Sequence, residues 1–138
     1  MVNPDKIKTK LIHLDESIAI LREAQKYSYE DLLKFPLIYG GVERYLQVCI
    51  EILNDVGNHI ISTENLGEVH WNQDIATLFY EKGFIDLNLK ETWVQMIKFR
   101  NLIVHEYAII DKQEVYRILH NHLDDFILIQ KRIVEKFL

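Results

Sequence analysis

Apolar residues recur three and four positions apart along almost the whole chain, a spacing that restricts the fold to packed helices. Ile7, Leu11, Leu14, Ile18 and Leu21 form one series, and Val42, Leu46, Cys49, Ile50, Leu53 and Val56 a second. A third comprises Val115, Ile118, Leu119, Leu123, Phe126, Ile127, Ile129, Ile133 and Val134. A helix turning about 100° per residue gathers such positions onto one stripe, whereas a strand needs alternation, of which there is little.

Boundary signals divide this pattern into about five helices. Asn3 followed by Pro4 suits the start of the first, a capping residue and then proline at the first helical position. It extends to about Tyr27, and Ser28 caps a short turn over Tyr29–Lys34 before Pro36 interrupts. The second helix spans about 36–61 and contains Gly40, Gly41 and Gly57. Each costs roughly 1 kcal/mol against alanine, so their presence predicts a close helix contact. Residues 62–71 form the longest polar connection. Asn72 caps a helix over 74–82 that Gly83 closes in a left-handed conformation. Asn88 caps the next, over 89–106, with Glu91 completing a capping box. Asp111 and Glu114 repeat that pattern at the start of the last helix, which runs almost to the C-terminus. The expectation is a single domain over residues 1–138, an all-α antiparallel helical bundle.

Composition narrows the function classes. Of 138 residues 49% are hydrophobic and 27% charged, with a net charge of −5. That balance suits a globular chain and argues against a broad nucleic-acid surface, which normally shows a basic stripe. It still allows RNA to be admitted at one local cationic pocket. The lone Cys49 lies in an apolar stretch and reads as a core residue. The N-terminal residues lack the apolar core of a signal peptide, and no apolar run reaches membrane-span length, so the expected location is cytoplasmic. The six histidines do not suggest a metal. His120 and His122 diverge by about 200° on a helix, and His13, His59 and His70 fall on separate elements without zinc-ligand spacing. No cofactor is expected, because phosphate-loop and dinucleotide fingerprints are missing from the sequence.

The segment 100–107 reads Arg-Asn-Leu-Ile-Val-His-Glu-Tyr. On a helix Arg100 and Tyr107 lie nearly in register, Asn101 and His105 are i,i+4 neighbours, and all four fall within an arc of roughly 160°. Leu102, Ile103 and Val104 between them would anchor the helix in a core. A fixed cation beside an imidazole suits phosphodiester chemistry, one stabilising charge and the other moving protons. Spacing alone also allows solvated surface groups or a hydrogen-bonded core histidine. Glu43 and Arg44 likewise read either as a surface ion pair or as part of a contact face near this segment.

Arg100-Asn101-x-x-x-His105-x-Tyr107 resembles the Arg-x4-His-x-Tyr signature of the HEPN superfamily, in its HepT-like toxin branch. The stretch from Tyr39 to Glu51 resembles that family's long second helix, and the stretch from Asp55 to His59 its continuation. The resemblance covers nearly the whole chain. It implies a homodimer whose two motif helices meet at a shared cleft, and a metal-independent endoribonuclease acting as the toxin of a toxin–antitoxin pair. The implied partner is a minimal nucleotidyltransferase (MNT) antitoxin, which in that family can adenylylate the motif tyrosine, here Tyr107. The implied catalytic residues are Arg100 and His105, supported by Asn101 and Tyr107. Glu106 departs from expectation by placing a negative charge close to the RNA path, while Lys98, Arg44 and Arg22 are candidates for local positive charge. The alternative is a non-catalytic helical HEPN module that binds a nucleotidyltransferase partner or a nucleotide.

Overall fold

The computed structural model describes residues 2–105 and 110–138, and in them the regular structure is entirely helical. Seven helices follow one another: α1 (Pro4–Ala24), α2 (Tyr29–Lys34), α3 (Pro36–Thr63), α4 (Gln73–Glu81), α5 (Leu87–His105), α6 (Lys112–Asn121) and α7 (Leu123–Phe137). This exceeds the expected five for two reasons. The turn after Ser28 closes into a helix of its own, with a capping box in which Ser28 accepts from the Asp31 N–H and Asp31 from the Ser28 N–H. The predicted last helix is broken at His122 without a glycine or proline. There the imidazole joins Arg117 of α6 to Asp125 of α7, with contacts of 2.7 Å on each ring nitrogen. A network of side chains, rather than a backbone breaker, sets this bend.

Helix α3 organises the bundle. Its 28 residues span about 42 Å at 1.5 Å per residue, and it packs against each of the other six helices. From Cys49 to Ile61 it is buried on almost every side, with Cys49, Ile50, Ile52, Leu53, Val56, Ile60 and Ile61 all in the core. Burial pushes the Cys49 thiol up to about 12, as befits an inert core residue. Gly57 lies where α3 meets α4 and α5: a Cβ there would stand 2.6 Å from Ile75 Cγ2 and 3.3 Å from the Trp93 ring. The predicted close contact therefore exists at Gly57. Gly40 and Gly41 face open space instead, with nothing within 4 Å of an added Cβ.

Two predicted caps move. Asn72 makes no capping bond, and α4 is instead tied by Asp74 Oδ2, which accepts from the N–H groups of His70 and Trp71 at 3.0 Å each. Helix α5 begins two residues before the expected start, because Asp86 Oδ1, not Asn88, accepts from the Leu89 N–H at 2.8 Å. Asp111 does cap α6 through the Gln113 N–H, but Glu114 turns to Arg117 rather than closing a box. Asn3 caps α1 and Gly83 adopts φ +80°, both as the sequence predicts. The predicted end of the motif helix at 106 lies outside the described residues.

Candidate functional site

A polar stripe on α3 and a polar edge of α5 meet inside this apolar frame. Arg44, Gln47, Glu51 and Asn54 follow one another at helical spacing on α3, within a narrow arc. Asn54 Oδ1 accepts from the buried Trp93 indole N–H at 3.0 Å, and one turn earlier Glu51 meets Arg100. Residue numbers rise along α5 as they fall along α3, so the two helices run antiparallel.

Arg100 is held in place. Its Nε and Nη2 both lie 3.0 Å from Glu51 Oε1, and its Nη1 donates to Asn101 Oδ1 at 3.3 Å. Gln47 Nε2 donates to the same Glu51 oxygen at 3.0 Å. Burial alone would raise the Glu51 carboxyl, but the hydrogen bonds from Gln47 and Arg100, with the charges of Arg100 and Arg44, outweigh it and hold the group below the usual carboxylate range. Glu51 thus stays ionised and fixes one edge of the guanidinium. The remaining donors are free of the carboxylate and can bind the oxygens of an anion such as a phosphate.

Arg100, Asn101 and His105 line one cleft of about 450 Å³, whose other wall is the connection into α4, His70, Trp71, Asn72 and Gln73. The cleft thus brings together three of the four predicted site residues; Tyr107, with Glu106, lies outside the described residues. The expected anchoring of the motif is only partly realised. Ile103 is buried, but Leu102 is 40% exposed and Val104 half-buried. Three consecutive helical residues fan over about 200° and cannot share one face. The anchoring falls instead to Trp93, Met96, Ile97, Phe99 and Ile103 at helical spacing.

Sequence reasoning missed Glu51 as the partner of Arg100, and the 70–73 wall. A signal for Glu51 existed: a polar stripe on an otherwise apolar helix needs partners across a helix interface. Arg44 and Glu43 form no ion pair with each other: the charge of Glu43 acts on Tyr39, and that of Arg44 on Glu51. Arg22 pairs with Asp124 of α7 and does not line the cleft. Among the described residues no three His, Cys, Asp or Glu side chains form a group able to hold a metal.

Comparison with known proteins agrees with this architecture. The sequence profile of the family described as "Ribonuclease HepT-like" matches residues 14–133. The mRNA nuclease HepT of Shewanella oneidensis is 32% identical over 81 residues, a match covering 59% of this chain and 61%, less than two thirds, of that protein. A solved structure of the tri-AMPylated Shewanella oneidensis HEPN toxin in complex with MNT antitoxin superposes with a TM-score of 0.89. It is 24% identical and the match covers 97% of this chain and 100% of that one. A toxin–antitoxin structure with AMP-PNP gives a TM-score of 0.88 at 23% identity, over 96% of this chain and 99% of that chain. With the profile spanning most of its length and the helical HEPN fold shared with these neighbours, the chain belongs to the HepT-like ribonuclease family.

Proposed function

We propose that the protein is a metal-independent endoribonuclease toxin that cleaves RNA by attack of a 2′-hydroxyl on the adjacent phosphorus. The observation that carries this reading is the cleft in which Arg100, already aimed by Glu51, stands with Asn101 and His105. His105, exposed and lining the cleft, is the proton-transfer group. It takes the proton from the 2′-hydroxyl as the 2′-oxygen bonds to phosphorus. The bond from phosphorus to the 5′-oxygen breaks, a proton is delivered to that oxygen, and a 2′,3′-cyclic phosphate remains. Arg100 binds the phosphate through the edge that Glu51 leaves open and stabilises the charge that builds there. Asn101, bonded to Arg100 through its carbonyl, has its amide N–H groups available to orient phosphate or imidazole.

In this reading the chain acts as a homodimer, two copies of the motif face one RNA backbone, and the two copies of His105 divide the roles of base and acid. The cognate partner is an MNT nucleotidyltransferase antitoxin, a pairing supported by the HEPN–MNT complex among the structural neighbours. Adenylylation of Tyr107 would neutralise the toxin by adding bulk and negative charge to the motif.

The test is expression in bacteria of the wild-type chain beside Arg100→Ala and His105→Ala, with growth and total RNA compared. The expected outcome is arrested growth and discrete RNA fragments from the wild type alone, each variant losing about 10²-fold or more in cleavage rate. Equal growth and intact RNA in all three, each confirmed folded by circular dichroism, would overturn the nuclease and favour the non-catalytic partner-binding module.

A further inference from the structure

We propose that the 70–73 wall of the cleft is a base-binding subsite, in which Trp71 stacks an unpaired nucleobase while the side-chain amides of Asn72 and Gln73 hydrogen-bond its edge. The inference rests on the ribonuclease reading and adds to it the strand state of the substrate, single-stranded RNA. Three observations carry it. First, the chain has two tryptophans with opposite fates: Trp93 is fully buried and hydrogen-bonded, whereas Trp71 is 72% exposed. A large aromatic surface left in water forgoes a substantial hydrophobic gain on folding, which stacking on a ligand would recover. Second, the backbone presenting this indole is fixed. The N–H groups of His70 and Trp71 both end on Asp74 Oδ2, the Trp71 carbonyl accepts from the Asp74 N–H at 2.9 Å, and the Asn72 carbonyl accepts from the Ile75 N–H at 3.0 Å. The ring is therefore exposed on an ordered turn.

Third, the indole shares its cleft with Arg100, Asn101 and His105, and among the described residues no aliphatic side chain lines it. A π-face, amides and a cation are what an unpaired nucleotide requires: stacking for the base, hydrogen bonds for its edges, a guanidinium for its phosphate. Among the described residues every lining side chain but the indole carries polar groups, which a nucleotide can satisfy one by one. Stacking also answers the charge problem. At a net charge of −5 the chain gains little long-range attraction for RNA, and an uncharged contact supplies affinity that does not depend on counterion release.

The experiment titrates a short single-stranded oligonucleotide carrying 2′-O-methyl groups, which cannot undergo 2′-hydroxyl attack, into the full chain while following tryptophan emission. With Trp93 buried, Trp71 dominates any change. The expected result is a change in emission on binding, and an affinity lowered between about five- and a hundredfold in Trp71→Ala but largely kept in Trp71→Phe. The slope of log affinity against log salt stays unchanged in Trp71→Ala, because no phosphate contact is lost. On cleavable single-stranded RNA the same variant raises KM with little change in kcat. Silent emission on binding, or wild-type affinity and KM in Trp71→Ala, overturns the proposal. So does a Trp71→Ala chain that loses a nucleotidyltransferase partner yet handles RNA normally, which would make this wall a protein-docking surface. Trp71-dependent oligonucleotide binding by a chain that cleaves no RNA sustains the subsite and removes the nuclease, so the two failures read differently.

Discussion

A guanidinium that must grip a phosphate is most effective when its orientation is settled beforehand, and here one carboxylate does most of that work. Glu51 takes the Nε and Nη2 side of Arg100 and is itself tied by Gln47, so the cation sits on the cleft wall in one arrangement. Glu51→Ala is expected to cut RNA cleavage by about tenfold or more through misplacement of Arg100, with Glu51→Gln intermediate because an amide oxygen still accepts. Single-turnover rates of the folded variants check this; wild-type rates in both would remove Glu51 from the mechanism. The pH dependence has a definite sign. Because the Glu51 value is depressed in the folded chain, the pair adds stability above the unfolded carboxylate value of about 4.3 and loses it as pH falls through the lower, folded value. The difference in melting temperature between wild type and Glu51→Gln should therefore be constant from about pH 5 to 8 and shrink only in more acid solution. The polar stripe Arg44–Gln47–Glu51–Asn54 was legible in the sequence as spacing. Its pairing with Arg100 and Trp93 was not, because nothing local says which helix lies opposite.

Among the elements, α3 carries the tightest constraint. Gly57 lets α4 and the Trp93 ring approach to a distance that a methyl group would close. Gly57→Ala should gain up to about 1 kcal/mol in helix propensity and lose more from overpacking, for a net destabilisation of roughly 1–2 kcal/mol. Urea denaturation measures it directly, and a stabilised variant would show that the contact relaxes freely. The helix starts follow a related logic. Asn3 and Asp111 cap where the sequence places them, each side chain accepting from a first-turn N–H, that of Lys6 in one case and Gln113 in the other. Asn88 fails as a cap because Asp86 takes the Leu89 N–H and leaves Asn88 inside α5, whereas at α4 the N–H groups of Asp74 and Ile75 go to the carbonyls of Trp71 and Asn72, and Asp74 Oδ2 ties the preceding His70 and Trp71 N–H groups. Competing polar residues within a few positions are equivalent to a spacing rule, and only the backbone path decides between them. The break at His122 has no local signature at all, since its cause is a chain of side chains from Glu114 through Arg117 and His122 to Asp125.

For the whole molecule, the remaining question is assembly. The proposed chemistry uses two motif helices facing one RNA backbone, so light scattering should return twice the 16.5 kDa of one chain. A monomer with full cleavage activity would separate the chemistry from any shared cleft and leave His105 of one chain to serve as both base and acid. What the sequence determined by itself is what depends on near neighbours along the chain. The helical period, the apolar stripes of α1 and α3 and the Arg-x4-His-x-Tyr spacing at Arg100, His105 and Tyr107 are of this kind; of the series read in α7, Ile127 and Val134 turn to solvent at 39% and 42% exposure. The tertiary structure alone decided which polar groups meet. It set Glu51 against Arg100, Asn54 against Trp93, and the 70–73 turn across the cleft from the motif. The physical reason is one of range. Helix formation is governed by bonds four residues apart, whereas the site is made by residues about 30 to 50 positions distant, which only the packing of α3 against α4 and α5 brings together.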